Sequence, residues 1–235
     1  MRYLFAILGF FFAVVLGCFS QNKNDFMEQA RINLKLGNTN GALLDYNHAI
    51  ELATNYAEAY YNRGLLNYEM GYSQKALEDF NKAVELKPNW ADPYINRGNI
   101  KSQMNDLKGA LFDEISAIEL NTNLWAAYEN RGSIKVKMKN YMGAVADFDQ
   151  VIRLKPDFAE AYSYRGTIKL RFGEYEQALA DLNKALELKP PNGIVIVTLL
   201  ARSDVKKKMG DLDGSSADAD KALELQRQAV RETLK

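Results

Sequence analysis

AYYNRGLLNY, residues Ala59–Tyr68, has the apolar spacing of an amphipathic helix but places Arg63 in its middle. The triplet Asn-Arg-Gly returns at Asn96–Gly98 and at Asn130–Gly132, 34 residues further on each time. Aligned on that triplet, the chain falls into six units: 23–56, 57–90, 91–124, 125–158, 159–192 and 196–229. Three extra residues, Gly193 to Val195, precede the last, and 230–235 form a short tail.

The register holds at many positions. Position 4 of the unit is Phe26, Tyr60, Tyr94, Tyr128, Tyr162 and Leu199. Position 8 is always small: Ala30, Gly64, Gly98, Gly132, Gly166 and Ser203. Positions 20 and 27 are Ala, Ser or Val throughout. Position 24 is apolar except for Glu114, and Pro88, Pro156 and Pro190 stand at position 32. Each unit splits into two helical stretches. In the second unit, Gly71 breaks the chain between a first helix around Tyr60–Leu66 and a second with Ala76, Leu77, Phe80, Ala83, Val84 and Leu86 on one stripe. Small side chains at 8, 20 and 27 let two helix axes approach, and a hairpin of this kind buries its apolar face only against its neighbours.

This pattern resembles the tetratricopeptide repeat (TPR) family over nearly all of residues 23–229. The resemblance implies an all-α fold, a right-handed superhelical α-solenoid of helix-turn-helix hairpins. The last unit carries Ser215, Ser216, Ala217 and Ala219 where others carry Ala, Leu and Phe, as a polar terminal cap would. PPNG, Pro190–Gly193, marks a longer turn before it. IVIVTLL, Ile194–Leu200, reads as a buried first helix, or alternatively as a small apolar contact surface.

The sequence departs from the family at positions 7 and 11, usually leucine and tyrosine. Here position 7 is Arg63, Arg97, Arg131, Arg165 and Arg202, with Gln29 in the first unit. Position 11 is Asn33, Asn67, Lys101, Lys135, Lys169 and Lys206. Position 23 is aspartate in every unit: Asp45, Asp79, Asp113, Asp147, Asp181 and Asp218. An Arg–Asp ladder follows, since a guanidinium fork binds a carboxylate bidentately while its stem covers apolar surface. Five arginines facing six aspartates favour pairing each Asp with the Arg of the following unit, Asp45 with Arg63 and so on, which leaves Asp218 to water; pairing within a unit is the alternative. Repetition in every unit suits a scaffold rather than an active site.

In this family the first helices line the concave surface. By that resemblance the N-terminal half presents a groove of Met27, Leu34, Tyr61, Leu65, Tyr68 and Ile95, with Asn62, Asn96, Asn99 and Asn130 placed to hydrogen-bond a peptide. The C-terminal half presents Lys137, Arg171, Lys207 and Lys208 with Val136 and Leu170 among them, a basic end for an acidic stretch. Position 5 of the first unit is Met27, not the lysine of the subtype that clamps chaperone carboxylates.

The first twenty residues, MRYLFAILGFFFAVVLGCFS, have the basic start, apolar run and small residues of an export signal. Two processing routes fit: cleavage after Ser20, giving a soluble periplasmic or secreted protein, or lipidation at Cys18 within VLGC, which resembles a lipobox. No later apolar run has the length to cross a membrane. The 30 basic and 30 acidic residues give no net field toward nucleic acid. One cysteine and one histidine, His48, argue against zinc sites, internal disulfides and histidine-assisted nucleophiles. Carboxylates such as Glu58 and Asp92 fall at repeat surface positions, where solvated charge is expected. The expectation is a non-enzymatic envelope scaffold without cofactor, metal or small-molecule substrate, holding a partner protein or extended peptide. A self-assembling structural solenoid is the alternative, and an accessory subunit of an envelope enzyme complex a further one.

Overall fold

The computed structural model describes residues 22–233; the export segment and Cys18 lie outside the described residues. Twelve α-helices follow one another among the described residues: α1 (Lys23–Lys35), α2 (Thr39–Leu52), α3 (Ala57–Glu69), α4 (Ser73–Leu86), α5 (Ala91–Gln103), α6 (Leu107–Leu120), α7 (Trp125–Lys137), α8 (Tyr141–Leu154), α9 (Ala159–Phe172), α10 (Tyr175–Glu187), α11 (Asn192–Lys208) and α12 (Leu212–Thr233). Each 34-residue unit contributes one pair. The chain divides into two compact units, up to Arg97 and from Gly98 onward. In the first, α1 packs on α2, α3 on α4, and α2 on α3. In the second, the hairpins α7–α8, α9–α10 and α11–α12 form in the same way. There each second helix also packs on the first helix of the next pair, and α9 touches α11 directly.

The turns explain the recurring glycine. Position 15 of every unit has positive φ: Gly37, Gly71, Gly173 and Gly210, but also Asn105 at 64° and Lys139 at 61°. A lysine there carries a backbone cost that glycine does not. Second helices start on a cap that is legible once seen. Asn38, Asp106, Asn140 and Asp211 accept hydrogen bonds from the backbone N–H of Gly41, Gly109, Gly143 and Gly214, three residues on. This satisfies a helix-end donor that would otherwise be unpaired.

The core repeats too. Ala42, Ala76, Ala110, Ala144 and Ala178 at position 20 have no exposed surface, nor have Ala49, Ala83, Ala117, Val151, Ala185 and Ala222 at position 27. Position 24 fills the space opposite the small residue at position 8. A Cβ on Gly64 would lie 2.8 Å from Phe80 Cε1, and one on Gly166 2.9 Å from Leu182 Cγ and 3.1 Å from the Ala178 carbonyl oxygen. Only the missing side chain allows that approach. In the last hairpin two serines replace this contact. Ser203 Oγ donates to the Ser215 carbonyl at 2.8 Å and lies 2.9 Å from Ser215 Oγ. Ser215 is therefore buried inside the hairpin rather than part of a polar outer face.

Two expectations need correction. The Asp–Arg pairs do not join consecutive units. Four of the arginines turn to the aspartate of their own hairpin: Arg63 to Asp79, Arg131 to Asp147, Arg165 to Asp181 and Arg202 to Asp218, with Nη2–Oδ1 distances of 2.5–2.6 Å. The reason is the antiparallel hairpin, which sets positions 7 and 11 of the first helix opposite position 23 of the second. The pairing Asp45–Arg63 is replaced by Asn33 Nδ2 donating to Asp45 at 2.7 Å, and Asp218 is fully engaged. Second, PPNG is not an extended turn. Only Pro190 and Pro191 precede the helix, and Asn192 through Val195 belong to α11, which the insertion lengthens to 17 residues.

Candidate functional site

The ladder was the first candidate, and its geometry is structural. Asp147, buried to 2 % exposure of its side chain, accepts from Arg131 Nε and Nη2 and from Lys135 Nζ at 2.7 Å. Asp181 and Asp218 are held in the same way by Lys169 and Lys206, Asp113 receives Lys101 Nζ at 2.8 Å, and Asp79 receives Asn67 Nδ2. Burial pushes the Asp218 carboxyl up, but hydrogen bonds and charge from Arg202 and Lys206 outweigh it and hold it below its ordinary range. Burial likewise opposes the Arg165 charge, yet Asp181 and Asp149 raise its pKa above the ordinary arginine value. The arginines make two further kinds of contact. The guanidinium groups of Arg63, Arg97, Arg131 and Arg165 lie over the position 4 ring of the same helix, as Arg63 does over Tyr60 at 5.5 Å and Arg131 over Tyr128 at 5.3 Å, while Arg202 has Leu199 there. The Nη1 of four of them reaches position 25 of the preceding hairpin: Arg63 to Asn47, Arg97 to Asn81, Arg165 to Asp149 and Arg202, across the three-residue insertion, to Asn183. The link between successive units thus runs through an asparagine or aspartate that the sequence reading passed over.

Repeat three breaks both rules. Position 25 is Ile115, which cannot accept the hydrogen bond. Position 24 is Glu114, fully buried where other units place an apolar side chain. Its Oε1 accepts from Asn130 Nδ2 at 3.1 Å, and its Oε2 is buried with no hydrogen-bond partner among the described residues. Burial, foremost, pushes this carboxyl up to about 9; Asp113 and Glu129 add to the rise, and Asn130 and Arg131 oppose it. Glu114 is a neutral acid at pH 7, and Asn130, assigned to the groove from sequence, is partly committed to it.

Other groove residues are also engaged within the protein. Tyr61 packs against Trp90 with ring centroids 4.4 Å apart and against Phe80 at 5.8 Å, and its hydroxyl accepts from Asn96 at 3.2 Å. Asn62 donates to the Glu58 carbonyl one turn back. Met27 packs into the small cores around Ala30 and Ala49. Leu34 is exposed, Leu65, Tyr68 and Ile95 are half-buried, and Asn99 shares a small crevice of about 200 Å³ with Ser102, Gln103, Asn130, Ser133, Ile134 and Lys137. Of the basic set, Lys137 donates to Ser102 Oγ at 2.9 Å and Arg171 lies 4.7 Å from the Tyr141 ring centroid. Lys207 and Lys208 are exposed at the end of α11.

An apolar concavity lies elsewhere, between the two first helices α9 and α11. It has a volume of about 460 Å³, with Tyr164, Leu170, Ile194, Val197, Leu200 and Ala201 as apolar lining and Glu160, Ser163, Thr167, Gly193 and Asp204 completing it. Val197 is 52 % exposed and Leu200 43 %. The opposite face of the same helix is inside: Thr198 has no exposed surface and Leu199 5 %. IVIVTLL is thus both a buried helix and an apolar surface, split by the helical period. The cleft is rigidly framed. Ser163 and Thr198 hydroxyls, 2.8 Å apart, tie the two helices together, and Tyr164 is stacked on Phe148 at 5.2 Å. Thr167 donates to the Ser163 carbonyl. The insertion matters here, because Gly193 and Ile194 come from the added turn. Sequence reading named Leu170 and the Ile194–Leu200 segment but left Tyr164 out. Its exposure at position 6, on a helix facing another first helix, was the available signal.

Among the described residues no group of three or more His, Cys, Asp or Glu could hold a metal ion, and no helix is long and apolar enough to cross a membrane. Comparison with known proteins agrees with the repeat architecture. Family models described as TPR repeat and Tetratricopeptide repeat match residues 30–71, 57–89 and 130–193, together more than half of the chain. No curated protein sequence matches. Among solved structures, the chain is similar to MamA (25% identity, 68% of this chain and 94% of that one, TM-score 0.65). It is similar to YrrB, described as a TPR protein with an unusual peptide-binding site (23% identity, 78% and 94%, TM-score 0.65). It also resembles pilF of Pseudomonas aeruginosa (19% identity, 88% and 91%, TM-score 0.74). With its 34-residue register, its small-residue seams and these matches, the chain belongs to the tetratricopeptide repeat family.

Proposed function

We propose that this protein is a non-enzymatic interaction scaffold that holds an extended segment of a partner protein in the cleft between α9 and α11. The observation that carries the reading is an apolar concavity, open to solvent, on a frame already fixed by Ser163–Thr198 and Phe148–Tyr164 contacts. A preformed pocket loses little conformational freedom on binding, and a single bulky side chain seated there supplies most of the affinity. YrrB, with its peptide-binding site, is a precedent for the kind of ligand. The first helices of the N-terminal units offer a separate contact surface at Leu34, Leu65 and Tyr68.

Repeat hairpins run through the described residues from Lys23 to Thr233, and a surface repeated in this way suits holding a partner. The export chemistry of residues 1–20 supports a site of action in the bacterial envelope or outside the cell, soluble after cleavage behind Ser20 or anchored through Cys18. Leu200→Asp places a charge in the cleft without touching the buried face of α11. Peptides selected from a displayed library against the purified protein should lose binding to this variant. Unchanged affinity refutes the cleft as the site. Cell fractionation with fatty-acid labelling, against Cys18→Ala, decides between the two exported forms; a cytoplasmic pool alone refutes export.

A further inference from the structure

The lining of the α9–α11 cleft is unequal in its polar chemistry. The Ser163 and Thr167 hydroxyls are already used, one with Thr198 and the other on the Ser163 carbonyl. Besides the Tyr164 hydroxyl, the remaining polar side chains in the lining are two carboxylates, Glu160 and Asp204, and neither makes an ion pair with another described residue. Successive first helices run in the same direction, and Ser163 faces Thr198. Glu160 therefore stands at the N-terminal end of the trough and Asp204 at the other. The charge of Asp204 is offset by Lys207 and Lys208, about one turn further along α11. That of Glu160 is reinforced. Glu129, on α7, accepts from Ser133 at 3.2 Å; burial foremost raises its carboxyl, the Ser133 hydrogen bond opposes the rise, and the Glu160 charge adds to it. The Tyr164 hydroxyl is raised by burial and by both carboxylates. One end of an apolar cleft thus carries uncompensated negative charge in a half-buried setting, which complements a cation and repels an acid.

We infer that the segment bound in this cleft carries a lysine or arginine about two residues from its bulky apolar anchor, the cation meeting Glu160 while the anchor lies between Tyr164 and Val197. This rests on the proposed cleft and adds the chemistry of its ligand. The spacing follows from the frame. Glu160 and Tyr164 are one helical turn apart, roughly 6 Å, and an extended peptide advances roughly 3.3 Å per residue. A cationic segment has the opposite charge to the partner expected from sequence for the basic groove end: Lys137 and Arg171 are engaged within the protein, Lys207 and Lys208 are exposed at the end of α11, and Glu160 and Asp204 line the cavity.

The test is selection of random octapeptides displayed on phage against the purified protein, followed by fluorescence anisotropy of the enriched peptides. Enrichment of Lys or Arg one to three residues from an aromatic or large aliphatic residue is expected. Glu160→Gln should weaken these peptides roughly three- to tenfold at low salt, an effect that shrinks at high salt. Glu176→Gln, an exposed acid on α10, should leave them unchanged. Enriched peptides that are neutral or acidic, yet lost with Leu200→Asp, overturn the cation and leave the cleft standing. Indifference to Glu160→Gln does the same. No enrichment sensitive to Leu200→Asp removes the cleft as well. Dimerisation of the protein lost with Leu200→Asp makes a second copy the occupant and overturns the inference.

Discussion

Replacing Glu114 by glutamine should stabilise this protein, and by an amount that grows with pH. In the folded state the carboxyl is pushed up to about 9, against 4.5 in the unfolded chain. Below pH 4.5 the side chain is neutral in both states, and Glu114→Gln, which is isosteric with the protonated acid, should change little. Above pH 4.5 the unfolded chain ionises while the folded one must keep its proton. Folding then takes up a proton and becomes less favourable by about 1.36 kcal/mol per pH unit, until the folded carboxyl itself ionises near pH 9. The wild-type protein is thus about 3 kcal/mol below Glu114→Gln at pH 7, from 2.5 units of pH travelled above 4.5. Glutamine keeps the Asn130 contact through its carbonyl oxygen and leaves its amide where the unpartnered Oε2 now lies, so packing is matched. Urea unfolding of both proteins, followed by tryptophan fluorescence and far-UV circular dichroism at pH 4.5, 5.5, 7 and 8, gives the difference directly. Other carboxylates, Asp218 and Glu58 among them, titrate alike in both and cancel. A difference that stays flat between pH 5 and 8 refutes a buried neutral Glu114.

Three further outcomes follow from the repeat geometry. A double-mutant cycle on Arg63→Ala and Asp79→Ala should show coupling of about 1–3 kcal/mol, while Asp45→Ala with Arg63→Ala should be additive; the reverse pattern refutes pairing within the hairpin. Gly166→Ala should cost about 1–3 kcal/mol in chemical unfolding, because its Cβ meets Leu182 Cγ at 2.9 Å and the fixed Ala178 carbonyl at 3.1 Å. Gly132→Ala, whose nearest contact is Phe148 at 3.1 Å, should cost less, and equal losses would contradict the seam. Lys139→Gly should raise the melting temperature by an amount equivalent to about 1 kcal/mol, since Lys139 holds φ 61°; a loss would show that its side chain stabilises the turn.

The repeat was open to sequence reading because its signals recur six times. Small residues at positions 8, 20 and 27 state where helices touch, and Gly71 and Pro88 state where they stop. Pairing was harder. Counting five arginines against six aspartates favoured Asp45–Arg63, but counting ignores which faces meet. Asn33 supplies Asp45 with a donor, and the lysines at position 11 give most aspartates a second cation, so no carboxylate is stranded by pairing within a hairpin. The asparagines at position 25 carried the connection between units, and their alternation with Asp149 and Ile115 hid it. Tyr61 and Asn96 stand at positions that face ligands in the family, yet here they bond to each other, because Trp90 fills the adjacent space. In IVIVTLL, apolar side chains all round the helix masked the fact that Val197 and Leu200 face away from the core. Glu114 was visible as the one charged residue at position 24, while its burial depends on Gly98 leaving room at the seam.

The cleft between α9 and α11 is most directly tested by methyl chemical-shift mapping with a selected peptide. Titration should move the Ile194, Val197, Leu200 and Leu170 signals first and in proportion to occupancy. Shifts confined to exposed second-helix residues, such as Met142 and Leu44, with these four signals unmoved, would contradict the account.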